Sequence, residues 1–330
     1  MDIPSTLLAL LAGLAVLLLA PFLFNRLMPL TAARAGLGLE RLLAGMRVQR
    51  VYVPGFDMPY LEGGDAGKPA LVLVHGFGGD KDNFTRVARH LLPHYRVIAP
   101  DLPGFGDASR DPDASYTIAE QVERLRAFLD QVAPGRIHLG GNSMGGFIAA
   151  QFAATYPERV ATLWLLDPAG TEAAQSSSLL LRYRDTGDVP LLLRAPADFR
   201  RLMAAATFRR PFLPYCVATA LGRRGAADYP LHTRILRQLT TVPLLEQQFA
   251  NLQMPTLIVW GAQDQILHPS GADTLRRLFR NSRVIVMPGV GHLPMVEAPR
   301  QTARDFLDFS GHGATHDHPD LKKLVRNGAD

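Results

Sequence analysis

The sequence predicts an α/β protein with a mostly parallel β-sheet flanked by helices. Two observations support this class. Short, continuous apolar runs typical of strands buried on both faces alternate with stretches of helical periodicity, and such alternation is typical of parallel sheets with helical crossovers. The chain of 330 residues is 47% hydrophobic and 20% charged, so it can bury a large core and is not mainly disordered.

The first 25 residues predict a transmembrane anchor. No charged residue occurs between Ile3 and Asn25, and nine of the eighteen residues from Leu7 to Phe24 are Leu. At roughly 1.5 Å per residue, an eighteen-residue helix spans about 27 Å, close to a bilayer core of about 30 Å. A cleaved signal peptide, which is the alternative, needs a basic start and a small-residue cleavage site, and this segment has neither.

Residues 26–46 predict an amphipathic helix at the membrane surface. Arginine residues alternate with Leu and Met at helical spacing: Arg26, Arg34, Arg41 and Arg47 with Leu39, Leu42, Leu43 and Met46. An ordinary linker helix that packs on the soluble part is the alternative. The arginine count beside the span places the soluble part in the cytoplasm by the positive-inside rule.

The strands and helices of the core follow in residues 47–169 and 251–310. A Pro-Gly turn joins a strand pair at 46–53 and 59–62. Buried strands are predicted at 70–74, 96–99, 136–139, 160–166, 256–260 and 283–287, with helices at 81–92, 118–132, 145–156, 271–279 and 299–309. We therefore expect one α/β core that is interrupted once.

Residues 170–250 form the interruption, and we expect a helical lid there. They contain no clear strand, but they have eleven Arg, no Lys and six acidic residues. An apolar, Arg-rich lid is suited to an amphiphilic substrate with an anionic head group. The alternative is that these arginines are solvated residues on the surface of ordinary helices. Cys216 is the single cysteine and excludes an intrachain disulfide. Residues 311–330 are expected to be a frayed tail.

The strongest chemical signal is Gly141-Asn-Ser-Met-Gly145, which follows a predicted strand and opens a helix. The pattern Gly-x-Ser-x-Gly makes a sharp turn that presents the Ser143 hydroxyl above the sheet. Chance produces only about 0.08 such matches in a chain of this composition. We therefore expect Ser143 to be a nucleophile.

A serine nucleophile needs a base and an acid that orients the base. His292 follows the last strand in a Gly-rich loop, and Asp264 follows the preceding strand. The order Ser143, Asp264, His292 is that of a hydrolase triad. Asp167 also ends a strand and is the competing candidate for the acid.

Two backbone N–H groups are expected to stabilise an oxyanion. One belongs to Met144, directly after the nucleophile, and the other to Phe77 in the Gly-rich turn after the third strand. His75, at the end of that strand, is expected to be structural. His75 and Asp80 also match a literal His-x4-Asp acyltransferase pattern, but the adjacent glycines favour an oxyanion turn.

With these motifs in place, residues 47–310 resemble the α/β-hydrolase superfamily. His75-Gly-Phe-Gly-Gly-Asp-Lys-Asp82, Gly141-Asn-Ser-Met-Gly-Gly146 and Leu166-Asp-Pro-Ala-Gly170 are similar to one branch, the membrane-anchored monoacylglycerol lipases and bacterial inner-membrane phospholipases A.

The resemblance implies Ser143 as nucleophile, His292 as base and Asp264 as orienting acid, with Phe77 and Met144 as oxyanion donors. It also implies a fatty-acyl ester substrate that enters from the bilayer, and a homodimer. It places the chain in the inner membrane as a single-pass protein with its soluble part in the periplasm, opposite to the arginine count.

The expected function is therefore membrane-anchored cleavage of fatty-acyl esters of phospholipids, lysophospholipids or monoacylglycerols. Dehalogenases and epoxide hydrolases of this fold use an Asp nucleophile and are excluded by Ser143. Carbon–carbon bond hydrolases share the nucleophile motif but usually carry Pro where this chain has Gly78-Gly79. A catalytically silent lipid-binding protein is the third possibility. No cofactor, metal or nucleic-acid partner is expected, and the net charge of +5 specifies no partner.

Overall fold

The computed structural model describes residue 6 and residues 19–312. Most of the predicted anchor, 1–25, and nearly all of the predicted tail lie outside these residues. Within the described part of the chain, no helix combines the length and the apolar character that crossing a membrane requires. The transmembrane helix therefore stays a prediction.

The core is one eight-stranded sheet in the order β1-β2-β4-β3-β5-β6-β7-β8. The strands are β1 Met46–Val53, β2 Phe56–Gly63, β3 Ala70–Val74, β4 Arg96–Pro100, β5 Ile137–Asn142, β6 Val160–Leu166, β7 Thr256–Gly261 and β8 Ser282–Met287. Within residues 19–312, the pairs β1–β2 and β2–β4 are antiparallel and the other five strand pairs are parallel. The mostly parallel sheet flanked by helices is thus confirmed.

Twelve α-helices follow residue 28 in the described chain. They are α1 Pro29–Leu43, α2 Thr85–Leu91, α3 Ile118–Val132, α4 Met144–Thr155, α5 Ser178–Thr186, α6 Phe199–Ala206, α7 Tyr215–Ala227, α8 Tyr229–Thr240, α9 Leu245–Gln248, α10 Gly271–Leu278, α11 Pro294–Glu297 and α12 Pro299–Phe309. Residues 19–27 are also helical. The helix predicted over 81–92 instead starts with a 3₁₀ turn, Lys81–Phe84, because the Asp80 carboxylate accepts from the backbone N–H of Asp82 at 3.0 Å.

The sheet is covered on both faces, as its continuous apolar strands require. On one face, α3 and α4 contribute Leu125, Phe128 and Ile148 to the larger part of the core. On the other face, α2 and α12 cover the sheet, and Phe306 stacks on Trp164 with ring centroids 4.4 Å apart. Both faces of the sheet are therefore packed against helices.

The helices α5 to α9 lie between β6 and β7 and form the helical insertion, residues 170–250. The helix α1 packs on this insertion, because Ala32 and Ala33 lie against Cys216 and Val217 of α7. The backbone N–H of Cys216 also donates to Asn25 Oδ1 at 2.9 Å. The predicted surface helix therefore packs on the protein through Ala32 and Ala33, while Leu39, Leu42 and Leu43 towards its C-terminal end are 56–75% exposed.

A buried ion network lies beneath the turn after β3. Lys81 is 1% exposed, and its Nζ lies 2.8 Å from Asp101 Oδ2 and 2.6 Å from Asp107 Oδ2. Burial alone lowers the pKa of Lys81, but the attraction of Asp101 and Asp82 outweighs burial and raises that pKa. On the surface side of the network, Arg41 of α1 forms a bidentate pair with Asp82 at 2.6 and 2.7 Å.

Replacing Lys81 with Met should lower the free energy of unfolding by about 3–5 kcal/mol, because the Asp101 carboxylate loses its cation while it stays buried. The double variant Lys81→Met/Asp101→Asn should recover part of this loss, since it removes the uncompensated charge. Denaturant unfolding, monitored by the fluorescence of Trp164 and Trp260, measures the free energy of unfolding of both variants. A loss no larger than that of an exposed ion pair, below about 1 kcal/mol, would contradict the analysis.

Candidate active site

Ser143 sits on the turn between β5 and α4, with φ 57° and ψ −120°. A non-glycine residue rarely adopts a positive φ, and such strain is typical of functional positions. The carbonyl of Ser143 also accepts from the backbone N–H of Phe147 at 3.0 Å and of Ala169 at 2.9 Å, which fixes the turn. The predicted sharp turn is present.

His292 and Asp264 meet above the neighbouring strands. Asp264 follows β7, His292 follows β8, and Nδ1 of His292 lies 2.7 Å from Asp264 Oδ2. The other carboxylate oxygen of Asp264 accepts from the backbone N–H groups of Ile266 at 2.8 Å and Leu267 at 3.1 Å. Because the carboxylate can only accept, Nδ1 is the donor, and the lone pair of the neutral imidazole is at Nε2.

Ser143 and His292 line the same cavity. The residue before Ser143 ties the two segments together, because Asn142 Nδ2 donates to the carbonyl oxygens of Leu166 and His292, both at 3.0 Å. The structure records no hydrogen bond between the side chains of Ser143 and His292. Such bonds are often long without substrate and shorten when the complex forms.

The turn after β3 lies against Ser143. A Cβ added to Gly76 would lie 3.0 Å from the Cβ of Ser143, so the turn touches this residue directly. Phe77 lines the cavity beside Ser143, and Met144 begins α4 directly after it. Both predicted oxyanion donors therefore belong to backbone next to the hydroxyl.

His75 holds this turn and is not available as a base. Its Nε2 accepts from the backbone N–H of Leu102 at 3.0 Å, so Nδ1 carries the proton and donates to the Gly76 carbonyl at 2.8 Å. Burial lowers the pKa of His75 to about 4. The ring is therefore neutral at physiological pH, and the structure agrees with the expected structural role.

Asp167, the competing acid, lies beside the pair without a hydrogen bond to His292. It is fully buried at the end of β6, and its Oδ1 accepts from the backbone N–H of Gly261 at 2.8 Å. The structure thus selects Asp264 as the partner of the imidazole.

The cavity has a volume of about 190 Å³, and its lining is both apolar and polar. The helical insertion and α1 supply apolar side chains: Leu37, Leu191, Leu193, Phe199, Leu202, Met203, Leu213, Val217 and Leu221. Charged and polar side chains also line it: Glu40, Asp80, Asp82, Arg86, Arg224, Asp228 and His232. Two more open depressions, around Arg277 and around His268, contain neither Ser143 nor His292.

The arginine that the insertion contributes to the cavity is already paired. Arg224 of α7 donates to the carboxylate of Asp80, which is 4% exposed. Burial alone raises the pKa of Asp80, but Arg224 and Lys81 outweigh it and lower the pKa to about 2. This pair couples the insertion to the oxyanion turn. Its role was not predicted, because nothing in the local sequence links Asp80 to a residue 144 positions away.

A second contact that was not predicted joins the insertion to the His292 loop. Glu297 Oε2 accepts from the backbone N–H groups of Phe208 and Arg209 at 2.9 and 2.8 Å, and Oε1 accepts from Gly291 at 3.0 Å. The backbone N–H of His292 also donates to the Ala206 carbonyl at 2.9 Å. The covering helices and the imidazole are therefore held as one unit.

The comparisons with known proteins agree with this geometry. A family described as the alpha/beta hydrolase fold matches residues 69–299. Lipase 1 of Psychrobacter immobilis is 38% identical over 77% of this chain and 81% of its own length. Monoacylglycerol lipase ABHD6 of Homo sapiens is 28% identical over 86% of this chain and 87% of its own. The crystal structure of a bacterial membrane phospholipase A superposes with a TM-score of 0.83 at 39% identity, covering 92% of this chain and 98% of that one.

We expect the difference in the free energy of unfolding between the wild type and His75→Asn to depend on pH, because the His75 ring is buried and can titrate. Asn can keep the bond to the Gly76 carbonyl but does not titrate. Because the pKa of His75 falls from 6.5 to about 4 on folding, the contribution of the neutral ring to stability is fully present above pH 6.5 and is lost as the pH falls towards 4. Denaturant unfolding of both proteins between pH 4 and 7.5 measures the difference, and a pH-independent difference would contradict the prediction.

Proposed function

Because the chain belongs to the α/β-hydrolase family, we propose that it is a membrane-anchored serine hydrolase that cleaves fatty-acyl esters of membrane-derived lipids. The chain is a carboxylic ester hydrolase, as its lipase relatives and its phospholipase A neighbour show. The observation that carries the finer proposal is the arrangement of Ser143 and the His292–Asp264 pair around one cavity with a partly apolar lining.

The proposed reaction has two acyl-transfer steps. The Ser143 hydroxyl oxygen attacks the ester carbonyl carbon while Nε2 of His292 takes the hydroxyl proton. The carbon–oxygen bond to the alcohol then breaks, and the alcohol leaves with that proton. Water attacks the acyl-enzyme, loses a proton to Nε2 and releases the fatty acid, while the proton returns to Ser143.

The surrounding groups lower the barrier without changing their covalent bonds. The Asp264 carboxylate holds the imidazole in one tautomer and stabilises the cation that forms, but it takes no proton. The backbone N–H groups of Phe77 and Met144 are proposed to bind the developing oxyanion. Removal of one such donor typically costs about 10²–10³-fold in kcat.

The mixed apolar and polar lining of the cavity suits an amphiphilic substrate. We propose that the acyl chain lies along the leucines of the insertion and that the head group lies beside polar side chains such as Glu40 and Arg86. Phospholipids, lysophospholipids and monoacylglycerols share this division. Because Arg224 is neutralised by Asp80, the arginine content of the insertion does not by itself select an anionic head group.

The membrane association is proposed from the sequence and from exposed apolar residues of the described chain. Leu27, Phe208 and Phe212 are 74%, 55% and 83% exposed. We propose a single-pass anchor at residues 1–25 in the cell inner membrane, with the soluble part in the periplasm and a homodimer as the assembled form. Protease accessibility in spheroplasts and chemical cross-linking test the side and the dimer.

Replacing Ser143 with Ala should lower kcat for a p-nitrophenyl acyl ester by roughly 10⁴–10⁶-fold, because the nucleophile is lost while the fold is kept. A fluorophosphonate probe should label the wild type but not this variant. The exposed Ser115→Ala is the matched control and should behave like the wild type. If Ser143→Ala kept more than about a tenth of the activity, Ser143 would not be the nucleophile. Labelling without ester turnover would favour a carbon–carbon bond hydrolase.

Deleting residues 2–24 should move the protein from the membrane fraction to the soluble fraction, because the predicted span supplies most of the apolar surface for insertion. Asn25 is retained, since its side chain binds the backbone of Cys216, so activity on short soluble esters should persist. The matched control replaces Leu39, Leu42 and Leu43 of α1 with Ser and should remain in the membrane fraction. An unchanged distribution of the deletion variant would refute the anchor.

A further inference from the structure

Asp167 is a second buried carboxyl beside the His292–Asp264 pair, and the proposed mechanism gives it no role. Its φ is 44°, in the left-handed region that non-glycine residues rarely adopt. A carboxylate oxygen of Asp167, a carboxylate oxygen of Asp264 and a ring nitrogen of His292 lie within 4.8 Å of one another. Backbone strain and burial beside the pair indicate a constrained position.

The two carboxyl groups have very different hydrogen-bond donors. Asp264 accepts three bonds, two from backbone N–H groups and one from His292. Asp167 accepts one, from the backbone N–H of Gly261 to Oδ1, and its Oδ2 is buried without a partner among the described residues. Hydrogen-bond donors stabilise the ionised form of a carboxyl group. Because Asp264 accepts more hydrogen bonds than Asp167, the negative charge of the two carboxyl groups is better stabilised on Asp264.

Among the residues that the structure describes, no Lys or Arg forms an ion pair that could offset a second negative charge at Asp167. The titratable groups that face Asp167 are Asp264 after β7, Glu297 of α11 and His292 after β8. Burial raises the pKa of Asp167 well above its ordinary value, and the charge of Asp264 raises it further.

We propose that Asp167 is a positioning residue, a neutral carboxylic acid whose O–H at Oδ2 donates a hydrogen bond to the Asp264 carboxylate and holds it against His292. This hydrogen bond gives a partner to Asp167 Oδ2, which accepts no other bond from the described residues, and it gives Asp264 a fourth hydrogen-bond donor. Oδ1 remains the acceptor for Gly261, so one side chain links the ends of β6 and β7 to the orienting acid. This inference rests on the proposed roles of Asp264 and His292.

The competing explanation is that Asp167 only anchors the backbone of Gly261 and is ionised. Asp167→Asn separates the two, because the amide keeps the acceptor at Oδ1 and places an N–H donor where the acid has its O–H. If Asp167 is neutral, this variant changes no charge. If Asp167 is ionised, the variant removes a negative charge within about 5 Å of the imidazole, which should shift the acid limb of the pH profile to lower pH by about one unit.

The first experiment measures kcat, KM and the pH profile of kcat/KM for the full-length protein in detergent. Asp167→Asn should keep kcat within about threefold and leave the acid limb where it is in the wild type. Asp167→Ala, which removes the donor to Asp264, should lower kcat by about tenfold or more with little change in KM. Active-site titration with a fluorophosphonate corrects for any misfolded fraction. An acid limb that moves in Asp167→Asn, or an Asp167→Ala variant as active as the wild type, would overturn the proposal.

The second experiment does not depend on catalysis. A native pKa raised above the unfolded value means that the native state holds a proton that the unfolded chain releases as the pH rises. The stability of the wild type relative to Asp167→Asn should therefore be greatest at low pH and should fall as the pH rises above about 4. A pH-independent difference would overturn the proposal. If Ser143 were not labelled and no ester were cleaved, the proposed function would fail, yet this measurement would still decide whether Asp167 holds the proton.

Discussion

The site depends on how closely the backbone segments at the carboxyl end of the sheet approach one another. A Cβ on Gly261, the last residue of β7, would overlap the carbonyl oxygen of Gly291, so only glycine allows the His292 loop to lie on this strand. The loop thereby brings the imidazole to Asp264, three residues after Gly261, at a distance of 2.7 Å. Since β5, β6, β7 and β8 are consecutive neighbours, Ser143, Asp167, Asp264 and His292 follow one another along a single edge.

Burial of charge is the second constraint, and the molecule meets it in two different ways. Beneath the oxyanion turn, Lys81 and Arg224 lie against carboxylates, so each buried charge has an opposite neighbour. Around the imidazole, no ion pair joins Asp167 or Asp264 to a Lys or Arg in the described chain, and backbone N–H groups donate to both carboxyl groups instead. In the proposed reaction, one carboxylate that accepts several hydrogen bonds stabilises the transient imidazolium. The proposed proton on Asp167 follows from the same constraint.

The apolar lining of the cavity is shared between elements that are far apart in the chain. Leu37 of α1 and Val217 of α7 line it together, and the same two helices pack on each other through Ala33 and Cys216. Glu297 connects the insertion to the His292 loop. The insertion is therefore connected by hydrogen bonds to the loop that carries His292, and the helix that follows the predicted anchor lines the cavity.

The sequence by itself determined the strand pattern and the motif around Ser143, because continuous apolar runs and the Gly-x-Ser-x-Gly turn are local signals. The chain order Ser143, Asp264, His292 favoured Asp264 over Asp167 as the acid. Because both residues follow strands, the tertiary structure was needed to show that Asp264 is the one that bonds His292. The pairing of Arg224 with Asp80 and the packing of α1 on the insertion were also decided there. Contacts between residues far apart in the chain depend on how loops and helices return to the sheet, and no local pattern encodes that path.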